Sequence, residues 1–374
     1  VWQEAARFLH AISEKLENEI PLHVPVRNLS SAEQQLVEIA KALSRKPEIL
    51  ILDEATASLR ENEVQVVFEQ VRLLKEQGCT VIFISHRLEE VFDLCDRATI
   101  LRNGEAVATV NLEETTEQDL LRHMLGDVEL VDATLVPPFE EQVMFEVENL
   151  SSAGSFKDVS FTIRAGEVLG LGGLQGQGQS EVIQAIYGAR PATGRISFAQ
   201  RELHIKNPAT AIRAGIVLVP GDRHLEGLAL KRSVLENITL PSISRRSKWG
   251  ILNMRGEEEV TDDVVGRLQI KVSDPHLPAS TLSGGNQQKI VIGKWLLTEP
   301  KVILLDDPTK GVDVGARLEI YRSIRELCSQ GVSVIISSSD NQELLALCHR
   351  VLVMYEGQVV TELSGNELNE ENLV

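Results

Sequence analysis

Short apolar runs alternate along this chain with segments of helical spacing. Ile49–Leu52 and Val81–Ile84 come first, and Val302–Leu305 and Val332–Ile336 follow much later. Runs of this length, rich in Val, Ile and Leu and without polar alternation, predict strands buried on both faces, as in a parallel sheet of βαβ units. Apolar residues recur with helical spacing over Glu33–Leu43 and Gln287–Leu297, just ahead of the first strand of each pair. Phe145–Leu150, Val159–Ile163 and Val168–Leu171 predict further strands that open the second part and have no counterpart in the first.

The two parts are copies. Ile49-Leu50-Ile51-Leu52-Asp53-Glu54-Ala55-Thr56 reappears as Val302-Ile303-Leu304-Leu305-Asp306-Asp307-Pro308-Thr309, an offset of 253 residues. The same offset pairs Leu29-Ser30 with Leu282-Ser283, Cys95 with Cys348, Arg97 with Arg350 and Gly104 with Gly357. Repetition on this scale predicts two domains of one kind. Residues 127–142 carry Pro137-Pro138 among several acids and suit a linker. The expected organisation is the C-terminal part of a first domain in 1–126, a linker in 127–142 and a second domain in 143–374. A chain of 374 residues is too short for two full copies of a 253-residue unit, so the first copy is expected to be incomplete, its N-terminal part lying ahead of Val1.

Charge narrows the partners. A net charge of −18 opposes a broad nucleic-acid or anionic-membrane surface. The basic cluster Arg245-Arg246-Ser247-Lys248 reads as a solvated loop. No apolar run approaches the roughly 18 residues that span a bilayer. Cys79, Cys95, Cys328 and Cys348 lack metal-site or redox-pair spacing, which points to a reduced cytoplasm.

Behind Val168–Leu171 lies Gly173-Leu174-Gln175-Gly176-Gln177-Gly178-Gln179-Ser180, then an apolar helical stretch, Val182–Tyr187. Strand, glycine loop and helix in this order make a phosphate loop, because bare backbone lets amides converge on phosphate oxygens. Ser180 stands where a Mg²⁺-binding hydroxyl belongs, and Gln179 where lysine is expected. Asp306 ends a buried strand, where it can hold Mg²⁺ through water. Asp53 holds the same place in the first copy. Alone, either aspartate would read as a helix cap.

Leu282-Ser283-Gly284-Gly285-Asn286-Gln287-Gln288 precedes the second acidic strand. With the phosphate loop and the acidic strands, it makes the chain resemble the ATP-binding-cassette (ABC) ATPases over nearly its whole length. More narrowly, it resembles the tandem-cassette ATPases of bacterial simple-sugar importers of the ribose, xylose and galactose type. Supporting runs are Gly178-Gln179-Ser180-Glu181, Val219-Pro220-Gly221-Asp222-Arg223 with Glu226-Gly227-Leu228, and Lys310 through Ala316. Gly221 departs from the family pattern, which usually has glutamate there.

The resemblance implies an α/β fold of the P-loop NTPase class. Each cassette would have a mostly parallel core sheet, an antiparallel β subdomain and a helical subdomain. It also implies ATP and Mg²⁺ as cofactors, and ATP sites made from the phosphate loop of one cassette and the signature of the other. One site would use Asp53 for Mg²⁺, Glu54 to polarise water, His86 for the γ-phosphate, and Ser283, Gly284, Gly285 and Gln287 as nucleotide contacts. The other would use Gly173, Gly176, Gly178, Gln179 and Ser180, with Ser180 and Asp306 toward the metal. That second site is altered throughout. Gln179 supplies no positive charge, Asp307 is one methylene shorter than glutamate, and Ser339 stands opposite His86. The facing signature reads Ser30-Ser31-Ala32-Glu33, with Glu33 adding repulsion and no clear aromatic ahead of Phe156 to stack on adenine. The expectation is one working and one idle site. Arg60 stands opposite Asp313, and His10, His123 and His349 read as structural.

As partners, the resemblance implies a separate transmembrane permease, contacted through about residues 200–280 with Val219–Leu228 as the coupling loop, and a periplasmic substrate-binding protein. Nucleic acid is not expected, whereas two copies of the chain around two permeases are. The protein would lie peripherally on the cytoplasmic face of the bacterial inner membrane. Nucleosides and autoinducer-type sugars remain alternative cargoes, and a soluble tandem cassette is the alternative outside transport.

Overall fold

The computed structural model describes residue 20 and residues 23–56, 59, 61–85, 87–102, 104–125, 138–247 and 252–373. The chain divides into two compact units, Val1–Glu129 and Leu130–Val374. Among the sequence candidates, His86, Arg60 and His10 lie outside the described residues.

The first unit runs α1 (Ser31–Leu43), β1 (Ile49–Asp53), α2 (Glu61–Glu76), β2 (Thr80–Ile84), α3 (Leu88–Leu94), the hairpin β3 (Arg97–Arg102) and β4 (Glu105–Asn111), and α4 (Glu117–Leu125). Strands β1 and β2 pair in parallel from Ile49↔Thr80 to Asp53↔Ile84. Leu36, Ile39 and Leu43 of α1 and Val67, Phe68 and Val71 of α2 pack with Leu50 and Leu52 into one core. Among the described residues only that face is covered. Leu50 is 4% exposed, whereas Ile49 is 60% and Ile51 62% exposed. The expectation of strands buried on both sides therefore fails in this unit.

In the second unit it holds. The order is β5 (Val143–Ser152), β6 (Phe156–Arg164), β7 (Val168–Gly172), α5 (Gln179–Tyr187), β8 (Thr193–Phe198), β9 (Arg201–Leu203), α6 (Pro208–Ala214) and β10 (Ile216–Val219). Then follow α7 (Val234–Thr239), α8 (Ile243–Arg246), α9 (Met254–Arg267), α10 (Gly284–Leu296), β11 (Val302–Asp306), α11 (Val314–Ser329) and β12 (Ser333–Ser337). Helix α12 (Asn341–Leu347), β13 (Arg350–Tyr355), β14 (Gln358–Ser364) and α13 (Glu370–Leu373) complete it. A six-stranded sheet has the order β10-β11-β12-β7-β13-β14, parallel except for the β13–β14 pair. A four-stranded antiparallel sheet, β6-β5-β8-β9, stands beside it.

Strand β11 meets β12 in the same register as its copy, Val302↔Ser333 to Asp306↔Ser337. Val302, Leu304 and Ile335, the counterparts of Ile49, Ile51 and Ile82, are fully buried among Ile183 and Ile186 of α5 and Phe145 of β5. The first unit has no counterpart of α5 among its described residues. The same strand sequence is thus one-faced or two-faced according to what packs on it.

One smaller reading changes and one stands. Arg245 and Arg246 end α8 rather than lying in a solvated loop, and Arg246 pairs with Glu257 at 2.7 Å where both side chains are largely buried. Burial forces that pairing, since an unpartnered charge there would be costly. His349 is structural, as expected. Its Nδ1 accepts from the Val168 N–H at 2.9 Å, and its ring meets Phe139 edge-on.

Candidate functional site

Strand β7 delivers the chain into the glycine loop. Gly173, Gly176 and Gly178 all have φ between 84° and 107°, a region open to glycine at little cost. At Gly173 a Cβ would also strike the Met354 carbonyl at 2.4 Å. Gly178 is the N-cap of α5, so the helix N-terminus and its unpaired amides face the loop.

The Gln179 side chain closes back onto this loop. Its amide nitrogen donates to the Gly172 and Leu174 carbonyls, both at 3.1 Å, and its oxygen accepts from the Gln177 N–H at 3.0 Å. The side chain is buried and neutral, and it occupies an amide that a phosphate would otherwise take. Ser180 Oγ donates to Asp306 Oδ1 at 2.7 Å, bringing together the two residues expected at the metal. Burial pushes the Asp306 carboxyl up to about 6, opposed by the Ser180 hydrogen bond and aided by the nearby Asp307 charge. A hydroxyl and a carboxylate side by side are hard oxygen donors of the kind Mg²⁺ accepts alongside water and phosphate. A Cβ on Gly221 would lie 3.6 Å from Asp306 Oδ2, so the family's usual glutamate here would border the same carboxylate.

Each acidic strand ends in the same strained turn. Glu54 has φ 46° and Asp307 φ 43°, left-handed values that cost a non-glycine residue about 1 kcal/mol or more. Each is pinned by its own N–H, Glu54 to the Ile84 carbonyl at 2.9 Å and Asp307 to the Ser337 carbonyl at 2.8 Å. The Asp307 carboxylate then accepts the Ser339 backbone N–H at 2.6 Å.

The two signature helices begin differently. In α1, Ser30 and Glu33 form a reciprocal capping box. Glu33 Oε2 takes the Ser30 N–H and hydroxyl, both at 2.7 Å, and Ser30 Oγ accepts the Glu33 N–H at 3.3 Å. A carboxylate of the helix itself thus sits where an external anion would bind. Those Ser30 hydrogen bonds hold Glu33 below the usual carboxylate range. In α10, Ser283 makes no side-chain cap, and its Oγ accepts only from Asn286 Nδ2 at 2.9 Å among the described residues. The Ser283 side chain thus leaves the first amides of α10 uncapped. Gly285 is also required by packing, since a Cβ there would meet the Ala316 Cβ at 2.4 Å.

Arg223 in the Val219–Leu228 run donates to the Lys310 carbonyl at 2.7 Å and the Gly311 carbonyl at 3.2 Å. His224 Nε2 meets Gln287 Oε1 at 3.0 Å. The run expected to contact a permease therefore touches both the signature helix and the loop after β11. Sequence reasoning missed these contacts. It also missed two polar clusters under the acidic turns, Thr56 with Glu90 and Ser338 with Glu343, which the 253-residue offset would have revealed.

Comparison with known proteins agrees with this geometry. A family model described as ABC transporter matches residues 1–57 and 156–310. The ribose import ATP-binding protein RbsA of Bacillus subtilis is 42% identical over 96% of this chain and 73% of its own length. Its namesake from Geobacillus kaustophilus is 42% identical over 100% of this chain and 75% of its own length. A crystal structure of the ADP conformation of an ATP-binding cassette of an ABC transporter is 27% identical, with TM-score 0.52, over 61% of this chain and 93% of its own. These matches, with the phosphate loop, acidic turns and signature helices, place the chain in the ABC transporter family, among its ATP-hydrolysing cassette proteins.

Proposed function

We propose that this chain is the ATP-hydrolysing subunit of an importer for monosaccharides of the ribose type. The observation that carries the reading is the 42% identity to ribose import ATP-binding proteins over nearly the whole chain. The permease is a separate chain in this reading, and no helix among the described residues is long and apolar enough to cross a membrane. Val219–Leu228 is the coupling loop, a role supported by the Arg223 and His224 contacts. A periplasmic binding protein delivers the sugar, and the ATPase works on the cytoplasmic face of the inner membrane.

In this reading the two acidic turns have diverged. Asp53, Glu54 and His86 carry hydrolysis, with Glu54 polarising the attacking water and His86 contacting the γ-phosphate. Ser283, Gly284, Gly285 and Gln287 are nucleotide contacts, supported by the uncapped start of α10. Phosphoryl transfer depends on positioned charge, so these groups are enough for chemistry once a phosphate loop and Mg²⁺ join them. Gly173, Gly176, Gly178, Gln179 and Ser180 form a degenerate nucleotide site. Asp306 and Ser180 would hold Mg²⁺ there, whose charge neutralises phosphate oxygens when bound. Asp307, spent on the Ser339 N–H, is poorly placed to activate water. The cassette pieces are 1–126 and 143–374, joined by a linker at 127–142.

The test is co-purification of the full-length gene product with its permease, followed by assay of ATP turnover with the cognate binding protein and a panel of sugars. Stimulation by a pentose or hexose supports the reading. Stimulation only by nucleosides moves the cargo, and recovery with ribosomes instead of a permease overturns it.

A further inference from the structure

The offset that superposes the acidic strands also superposes three polar side chains, buried or partly buried, to which the hydrolytic reading gives no task. They are Thr56, Ser85 and Glu90 in the first unit, and Thr309, Ser338 and Glu343 in the second. Glu90 is 7% exposed and Thr56 2%. Thr56, two residues beyond Glu54, donates its hydroxyl to Glu90 Oε2 at 2.6 Å, and Ser85 donates to the same oxygen at 3.1 Å. Arg87 Nη1 reaches the other oxygen, Oε1, at 3.0 Å. Ser85 Oγ in turn accepts the Arg87 N–H at 3.0 Å. One carboxylate therefore gathers the turn after Glu54 and both residues that flank position 86.

We propose that Glu90 is a positioning residue for ATP hydrolysis, whose buried carboxylate, locked by Arg87, fixes the spacing between the Glu54 turn and Ser85 and Arg87. The proposal rests on the reading that those two positions carry the chemistry. The physical case is direct. A buried carboxylate must be paired and hydrogen-bonded or it is very costly, and charge-assisted bonds are about twice as strong as neutral ones. All three donors come from the two segments that must be held at a fixed separation.

The second unit keeps the tie and loses the lock. Ser338 donates to Glu343 Oε2 at 2.6 Å and accepts the Asp340 N–H at 3.0 Å, as Ser85 does in the first unit. Asp340, however, stands where the first unit has Arg87. The cation has moved to Arg317 on α11, at the position of the buried Val64, and it bonds Asp340 at 2.7 Å. Glu343 Oε1 finds no hydrogen-bond partner among the described residues. The lock is present beside Glu54 and absent beside Asp307, which is how a device for catalysis, rather than for folding alone, would be distributed.

The test uses steady-state ATPase kinetics of the full-length gene product with its permease. Glu90→Gln keeps the shape and removes the charge. Its expected kcat falls about tenfold or more, as misplacement by a fraction of an ångström would give, while KM for ATP stays within about twofold. Arg87→Gln, on a half-exposed side chain, should lower kcat equally, and the double variant should fall no further, because both remove one interaction. Glu343→Gln should leave kcat unchanged. Full activity of Glu90→Gln or of Arg87→Gln overturns the proposal, as do additive losses or a loss confined to KM. Should Glu90→Gln not fold, Arg87→Gln decides alone. A Glu54→Gln control separates the two readings. If it keeps turnover, the catalytic assignment fails; if it is dead while Glu90→Gln is fully active, only the positioning role fails.

Discussion

The carboxylate of Asp307 accepts the backbone N–H of Ser339 at 2.6 Å, so the second acidic turn is closed onto the residue that the 253-residue offset sets opposite His86. A carboxylate committed to its own loop is not available to a water.

Glu54→Gln should abolish ATP turnover by the full-length protein, a loss of about 10²-fold or more, whereas Asp307→Asn should be tolerated. Parallel phosphate-release assays decide the matter, and equal losses would end the asymmetric reading.

The two signature serines should respond oppositely. Ser30→Ala removes one half of a capping box and should cost the first unit about 1 kcal/mol, with little effect on turnover. Ser283→Ala removes no cap and should leave stability nearly unchanged while lowering turnover. Denaturant melts beside ATPase assays would reveal either pattern.

Gly285→Ala brings a methyl group to 2.4 Å from the Ala316 Cβ, and overpacking of this kind costs about 1–3 kcal/mol. The fall should appear in chemical denaturation even without nucleotide. An unchanged midpoint would show that α10 and α11 separate freely.

Glu343 gives the second unit a pH signature. Burial raises its carboxyl from 4.5 to about 7, against the pull of the Ser338 and Thr309 hydroxyls and of Arg317. The folded state therefore holds this proton more tightly than the unfolded state. That contribution is complete below pH 4.5 and is lost as pH rises through about 7. Glu343→Gln should flatten the dependence of melting temperature on pH between those values. A wild-type slope that survives the substitution would assign the effect to another group.

Much of this was legible in the residues. Apolar runs and the 253-residue offset gave the strands, the paired acidic turns and the phosphate loop, because those features depend on local pattern and on glycine. Ser180 and Asp306, 126 positions apart, are set toward one place by motif order and share a hydrogen bond. Packing decided the rest. Ile49 and Val302 have equivalent neighbours in sequence, yet one is 60% exposed and the other buried, since among the described residues only the second has a helix on that face of its sheet. The Glu33 charge was legible in the residues, but its part in the cap with Ser30 was not.

The sequence by itself determined which elements form and where the acidic residues fall along them, since periodicity and turn chemistry are local. Only the tertiary structure decided what each carboxylate is tied to. Glu90 reaches Thr56 across 34 residues and Asp307 reaches Ser339 across 32. Partners that distant are set by how neighbouring strands bring their loops together, and no local pattern records them.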